Sequence, residues 1–323
     1  MGVSIDYMKA ARLCVETCMG VKAGENVLVV TMPDSMEQAE AVAAAVFQQE
    51  AVPVIVSIPS KRLYQAKEPP RMVVEAMKSA DVIMVVMHFL DSHLMYHTSA
   101  RIEALKAGAR LGNVWLTETN WDITADEIMA TRELSIKVQK RLTAAKTARL
   151  TTPRGTDLRM DISGRESVML CSILHNPGDS GVIPDYAEAA VAPVEGTSEG
   201  IFIPDCSMLA IGLLKNPMTW HIEKGRVVKL EGKEEADRLQ RIIDGADENA
   251  TNIAEFGIGT VIRGMVTGDE QDKRLLGTAH IGIGDSHSIG GKVRSKIHYD
   301  AVVLDATIEL DGEYILKDGK LAF

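Results

Sequence analysis

Asn26–Ile58 (NVLVVTMPDSMEQAEAVAAAVFQQEAVPVIVSI) decides the fold class. Asn26–Thr31 is a short β-branched apolar run, the kind that fits a strand buried on both faces. Pro33-Asp34-Ser35 then reads as a helix start, with Glu37 and Gln38 in the first turn. Ala39, Val42, Ala43, Val46 and Phe47 recur at helical spacing and form one apolar face. Val52–Ile58 is a second strand, so the stretch is one strand–helix–strand unit.

The same alternation continues on both sides. A helix is expected over roughly 3–20, and further helices over Pro69–Ser79, Thr98–Ala107 and about 124–145. Strands are expected over Asp81–Met87 (DVIMVVM) and Leu111–Leu116. Repeated units of this kind imply a doubly wound, mostly parallel sheet with helices on both faces. No G-x-G-x-x-G or G-x-x-x-x-G-K-[ST] follows any of these strands, so a nucleotide signature is absent. Beyond Leu150 the texture changes. LTTPRGTDLRMDISG (150–164) is strand, turn and strand, and Ile222–Leu230 is a hairpin around Lys224-Gly225. A helix follows over about 233–248, and the last eighteen residues hold two Asp-Gly turns between alternating apolar residues. The expected division is an N-terminal α/β domain over 1–148 and a C-terminal α+β domain over 149–323.

Composition narrows the function classes. The 323 residues carry 45 acidic and 35 basic side chains, a formal net charge of −10, with no concentrated basic block. A nucleic-acid partner is therefore not expected. Asp6, Lys9, Arg12 and Glu16 interrupt the N-terminus, which lacks the apolar core of a signal peptide, and no uncharged apolar run is long enough to span a membrane. Cys14 and Cys18 share a helical face with Tyr7 and Ala11 and read as small buried hydrophobes. The expectation is a cytoplasmic enzyme acting on a small molecule or short peptide.

The chemistry gathers in LLGTAHIGIGDSHSIGGKVRSKIHYDAVV (275–303). On a strand, His298 and Asp300 point to one face and form a two-ligand fragment for a divalent metal. An isolated H-x-D is more often a surface pair. Here His280 lies upstream on a strand whose same-face neighbours, Gly282 and Gly284, leave open space beside it. Glu255 (NIAEFGIGT) and Glu188 (PDYAEAAVAP) are the upstream acids that could complete the site, although Glu195 and Glu199 compete with Glu188 and spacing alone does not choose. His88, His93 and His97 follow the third expected strand, at the end where α/β ligand sites collect. His175 lies in a Pro/Gly loop. His97 and His175 are the candidate substrate contacts, and His221 reads as structural.

Together these residues resemble the metallo-aminopeptidases of the aminopeptidase T family. That family places a Glu before a T-A-P-like segment, a second Glu in N-x-A-E-x-G-x-G, and G-T-x-H ahead of H-x-D. The matching residues are Glu188, Glu255, His280, His298 and Asp300, over residues 184–305. The resemblance implies a two-metal centre of Zn, Co or Mn bridged by Glu255, an amide-cleaving hydrolase, and a homodimer or larger oligomer. Glu255 and His287 are then the candidate catalytic residues. His287 stands where the family has a catalytic Tyr, and the chain is shorter than the true aminopeptidases. A related branch, the 2,5-dihydroxypyridine 5,6-dioxygenases, has a similarly short chain. It keeps equivalents of His280, His298 and Asp300 around a single Fe(II), lacks Glu188 and Glu255, and has a histidine resembling His97. A non-enzymatic binding protein with a vestigial site is a third reading, against which five intact ligand positions argue.

Overall fold

The β-branched runs of the first half become parallel strands. In the computed structural model, which describes residues 5–59, 68–88, 91–92, 95, 98–116, 122–268 and 270–323, helix α1 (Ile5–Leu13) passes into a single π turn at Cys14–Cys18 and leads to β1 (Asn26–Thr31). Helix α2 (Met36–Gln48), β2 (Val52–Ser57), α3 (Arg71–Ser79), β3 (Val82–Val86), α4 (Ser99–Lys106) and β4 (Arg110–Val114) follow. The Thr98 hydroxyl caps α4 by accepting from Arg101 N at 3.2 Å. The strands form a parallel sheet in the order β2-β1-β3-β4, and a fifth, β8 (Ser180–Ile183), adds beside β4 from much later in the chain.

β1, β3 and β4 are buried on both faces, as the unbroken apolar runs of β1 and β3 imply, whereas β2 leaves Val52, Val54 and Ile55 exposed. Val27, Val29, Val82 and Met84 pack with α1 and α2, whereas Leu28, Val30, Ile83 and Val85 pack with α3 and α4. Cys14 and Cys18 lie fully buried in the first of these clusters, and burial pushes both thiols up. One expectation fails within α2. Its buried stripe is Ala39, Ala41, Val42, Ala45 and Val46, while Phe47 is 72% exposed. The small alanines let the helix lie close to the sheet on a face rotated away from Phe47.

The second half is antiparallel. Helix α5 (Ala125–Ala144) leads to β5 (Thr147–Thr151), β6 (Asp157–Asp161) and β7 (Val168–Leu170). After β8 come β9 (Glu188–Val191), β10 (Glu199–Phe202), β11 (Ser207–Met208), β12 (Gly212–Leu213), β13 (Thr219–Glu223) and β14 (Arg226–Glu231). Helix α6 (Glu234–Asp244) precedes β15 (Ile253–Gly259), β16 (Ala279–Gly284), β17 (His298–Val303), β18 (Thr307–Leu310), β19 (Glu313–Lys317) and β20 (Lys320–Leu321). The expected tight turns close the hairpins: Lys224, Asp311 and Asp318 all sit at φ 49, each followed by a glycine. Two sheets result, β14-β13-β10-β6-β5-β18-β19-β20 and β12-β11-β17-β16-β15-β9-β7. Leu150, Leu158, Phe202, Trp220 and Ile308 from the first share one core with Val191, Phe256, Ile281, Ile283 and Val303 from the second, and with Leu134, Val138 and Leu142 of α5.

A single cut near residue 148 does not describe the division of the chain. One compact unit comprises Met1–Met129 with Cys171–Tyr186, the other Ala130–Leu170 with Ala187–Phe323. The reason is β8, whose backbone completes the parallel sheet through pairs such as Leu111 with Ser180 and Val114 with Ile183. Among the described residues, no helix is long and apolar enough to cross a membrane.

Candidate metal centre

Four neighbouring strands, β9, β15, β16 and β17, place five potential ligands on one sheet face. Alternation does most of this. In β16, Ala279, Ile281 and Ile283 enter the core while His280 and the glycines take the other face; in β17, Ala301 and Val303 go inward while His298 and Asp300 go outward. In β9, Ala189 and Val191 are core residues and Glu188 faces the ligands. β15 needs a further device. Ile253 pairs with Ile283 but Glu255 pairs with Gly282, so one extra residue bulges between them. Ile253, Phe256 and Ile258 thereby all reach the core, and Glu255 is turned to the ligand face.

The glycines serve the ligands differently from expectation. They do not leave open space beside His280. Gly257 lies opposite His280, and a Cβ there would collide with the imidazole ring itself. Gly282 lies between Glu255 and Asp300, and a Cβ would stand 2.6 Å from Asp300 Oδ1 and 2.9 Å from Glu255 Cβ. The room made by the missing side chains is filled by the donors.

Six side chains close a ring of alternating acids and bases. Lys273 Nζ lies 2.8 Å from Asp300 Oδ2, and Asp300 Oδ1 lies 3.2 Å from His298 Nε2. His298 Nε2 is 3.0 Å from Glu255 Oε2, and Glu255 Oε1 is 3.2 Å from His280 Nε2. His280 Nε2 is 3.6 Å from Glu188 Oε2, whose partner oxygen Oε1 returns to Lys273 Nζ at 3.3 Å. Glu188, Glu255, Lys273, His280 and Asp300 are all buried, and only His298, its side chain 29% exposed, reaches solvent. Each carboxylate divides its two oxygens between two different cationic groups.

Within the ring, Glu188, Glu255 and His280 form one compact donor triple, and Glu255, His298 and Asp300 form another. Carboxylate oxygens and imidazole nitrogens are the donors that divalent transition ions accept. His298 Nδ1 donates to the Asp285 carbonyl at 2.6 Å, which fixes the ring and leaves Nε2 as the ligand atom. Asp300 Oδ1 is buried and, apart from its 3.2 Å ion pair with His298 Nε2, accepts no well-aligned hydrogen bond, a cost that a bound cation would remove. The residues present fit a divalent metal site.

The electrostatics follow from this crowding. Burial pushes Glu255 up and the Asp300 charge adds to that, yet hydrogen bonds from His280 and His298 prevail and bring it to about 2. For Asp300, burial is likewise outweighed, here by the charges of Lys273 and His298, which hold it well below the usual range. Burial lowers both imidazoles, but Asp300 and Glu255 raise His298 well above its ordinary value, and Glu255 and Glu188 raise His280. Glu188 answers differently from its partner His280: burial exceeds the pull of Lys273 and His280, and its carboxyl is raised.

Among the described residues, neither donor triple includes the remaining candidates. His287 is exposed in the short turn His287–Ile289, where Nε2 accepts from Arg294 Nη2 at 2.9 Å. His175 is exposed and its Nε2 donates to Thr17 O at 2.8 Å, tying the Pro/Gly loop to the end of the π turn. His221 pairs with Glu231 at 2.8 Å on its hairpin, as a structural residue would. Glu195 accepts from Lys292 N at 2.8 Å and Glu199 from Lys224 N at 2.8 Å, so of the three competing acids only Glu188 enters the ring. His93 and His97 lie outside the described residues. Lys273 was not foreseen. It lies in Glu270–Arg274 (EQDKR), four of whose residues, Gln271, Asp272, Lys273 and Arg274, are buried despite their polarity. Asp272 is satisfied by Thr267 N at 2.7 Å and Gly268 N at 2.9 Å.

The family model described as NicX, 2,5-dihydroxypyridine 5,6-dioxygenase, matches residues 7–323. The chain belongs to the NicX family. Two solved structures share the fold. The 2,5-dihydroxypyridine dioxygenase of Pseudomonas putida KT2440 superposes with a TM-score of 0.77 at 17% identity, covering 99% of this chain and 98% of that one. Wild-type AmpT of Thermus thermophilus gives 0.70 at 16% identity, covering 98% and 99%. The chain thus shares its fold with a NicX-type dioxygenase and with AmpT, and as a NicX-family member carrying this donor cluster it is a metal-dependent enzyme. No curated protein sequence matches the chain closely enough to count as a relative.

Proposed function

We propose that this NicX-family chain is a mononuclear non-heme Fe(II) dioxygenase that opens a hydroxylated N-heteroaromatic ring of the 2,5-dihydroxypyridine type. What carries the reading is that His280, His298 and Asp300, two imidazoles and a carboxylate, face one side of two adjoining strands and are joined through Glu255, in a chain of this family. A ferrous ion supplies the redox chemistry that O2 needs to react with a closed-shell ring. His280, His298 and Asp300 would hold it. Asp285, through its carbonyl, keeps His298 Nε2 aimed inward. Of the three carboxylates, Glu188 is the one in which burial outweighs its cationic neighbours and leaves the carboxyl raised, so its Oε2 is the atom suited to take a proton from a ring hydroxyl; Glu255, brought to about 2, is a poor base. His97 belongs to the proposal as a substrate contact. At least a dimer is expected, and light scattering that returned the monomer mass of 35.1 kDa at micromolar concentration would overturn that part.

The sharing of Glu255 between two donor triples favours a second reading, an aminopeptidase T-type hydrolase with two ions of Zn, Co or Mn on a small aminoacyl substrate. Protein loaded anaerobically with Fe(II) and given 2,5-dihydroxypyridine should consume O2 with loss of the aromatic absorbance. Absence of O2 uptake, together with cleavage of aminoacyl amides by Zn-, Co- or Mn-loaded protein, would replace the dioxygenase with the hydrolase.

A further inference from the structure

The ring holds one cation that no metal centre requires. Lys273 Nζ bridges Asp300 Oδ2 and Glu188 Oε1, the two oxygens turned away from the histidines. It is a buried ammonium group placed on the carboxylates that would otherwise balance a second metal ion. Histidine must be neutral to bind a metal. With both imidazoles neutral, the three carboxylates and the one ammonium carry a formal charge of −2, which a single divalent cation cancels. A second divalent cation would leave a surplus of positive charge among buried side chains, where charge is costly.

We propose that Lys273 takes the place of a second metal ion, so that this centre, despite its full set of five aminopeptidase-like ligands, is charge-matched to one divalent cation per chain. The inference rests on the reading of the cluster as a metal centre and gives that centre its stoichiometry. Glu188 and Glu255 are then kept because Lys273 and the histidines need them as counter-charges, and their presence no longer signals a binuclear site.

The test is metal stoichiometry, independent of turnover. Chelator-stripped protein is titrated with Co(II), read by visible absorbance, and its metal content after gel filtration is measured by elemental analysis. Wild-type protein should saturate at one ion per chain. Lys273→Met, which keeps the length and removes the charge, should gain a second ion; Lys273→Arg should stay at one. Folding of each variant is checked by circular dichroism. Two ions in the wild type would overturn the proposal whatever the variants do, and so would a folded Lys273→Met that stops at one. The dioxygenase reading fails separately: a chain with one ion, a Lys273→Met with two, and no O2 uptake on any dihydroxypyridine would leave the role of Lys273 standing and remove the proposed activity.

Discussion

β1 and β3 of the parallel sheet and β15 and β16 of the ligand-bearing sheet are similarly buried and opposite in what they bury. β1 and β3 carry Val, Leu, Ile and Met on both faces and feed two separate cores. β15 and β16 are buried at every position too, but one face is Ala, Phe and Ile while the other is Glu, His and Gly. Burial therefore does not separate a structural strand from a functional one. The distribution of glycine does, because polar donors enter a close-packed interior only where neighbouring side chains have been removed.

The sharpest way to break this comparison is to return a methyl group to each sheet. Gly257→Ala collides with the His280 ring, which cannot move without leaving the cluster, and metal affinity should fall by about 100-fold or more. Gly112→Ala in β4 would meet Met19 Sδ at 2.7 Å and Ile183 Cδ1 at 2.8 Å, the ends of flexible side chains. It should cost about 1–3 kcal/mol of stability and leave metal content intact. Elemental analysis and urea unfolding of the two variants decide the matter; a Gly257→Ala protein with full metal content would refute the account of the ligand face.

Next in size are the apolar faces, which should behave alike. Ile283→Ala and Ile83→Ala each empty a fully buried site and should cost about 2–5 kcal/mol in denaturant unfolding. Neither should alter metal stoichiometry, although Ile283 lies between the two site-facing glycines of β16. Loss of metal in Ile283→Ala but not in Ile83→Ala would show that the core face tunes the ligand face.

A smaller, graded effect separates the sheets by pH. In the metal-free protein Glu255 and Asp300 hold His298 protonated well above its ordinary range, and Glu255 raises His280. That stabilisation is complete below the unfolded imidazole value and is lost as pH rises through the raised values. Metal binding must displace these protons, so apparent affinity should rise with pH, by about tenfold per unit for each proton displaced. Co(II) titrations between pH 6 and 8 measure the slope, and a flat profile would contradict the proton count. The smallest effect is expected at Phe47→Ala, a side chain 72% exposed, with a stability change within about 0.5 kcal/mol.

The sequence made the strand–helix alternation of the first half readable because strands buried on both faces are uniformly apolar and their helices carry a 3.6-residue stripe. It made His280, His298 and Asp300 readable because alternation in β16 and β17 is unbroken. The rest depended on long-range facts. The bulge at Ala254 reverses which residues of β15 face the ligands, and nothing in N-I-A-E declares it before its partner strand is known. Lys273 looks like any lysine in a charge run until Glu188 and Asp300 arrive from distant strands. Phe47 misleads because a large apolar residue at helical spacing outweighs alanines by eye, yet alanines are what fit beneath the helix. His287 is a catalytic candidate by its order along the chain alone, and the contact of its Nε2 with Arg294 is visible only in the fold.

The late arrival of β8 sets a timetable for biosynthesis. A chain emerging from the ribosome has β1 to β4 in hand by Val114, yet the hydrogen-bonding edge of β4 has no neighbour until Ser180–Ile183 has been made. Through that interval the nascent parallel sheet presents an open edge of the kind that recruits other strands. The β5–β6 hairpin is synthesised inside the same interval and belongs to the other unit. A gene fragment stopped at residue 148 would freeze the molecule in this open-edged state, whereas one carried through Tyr186 would contain every strand the parallel sheet uses.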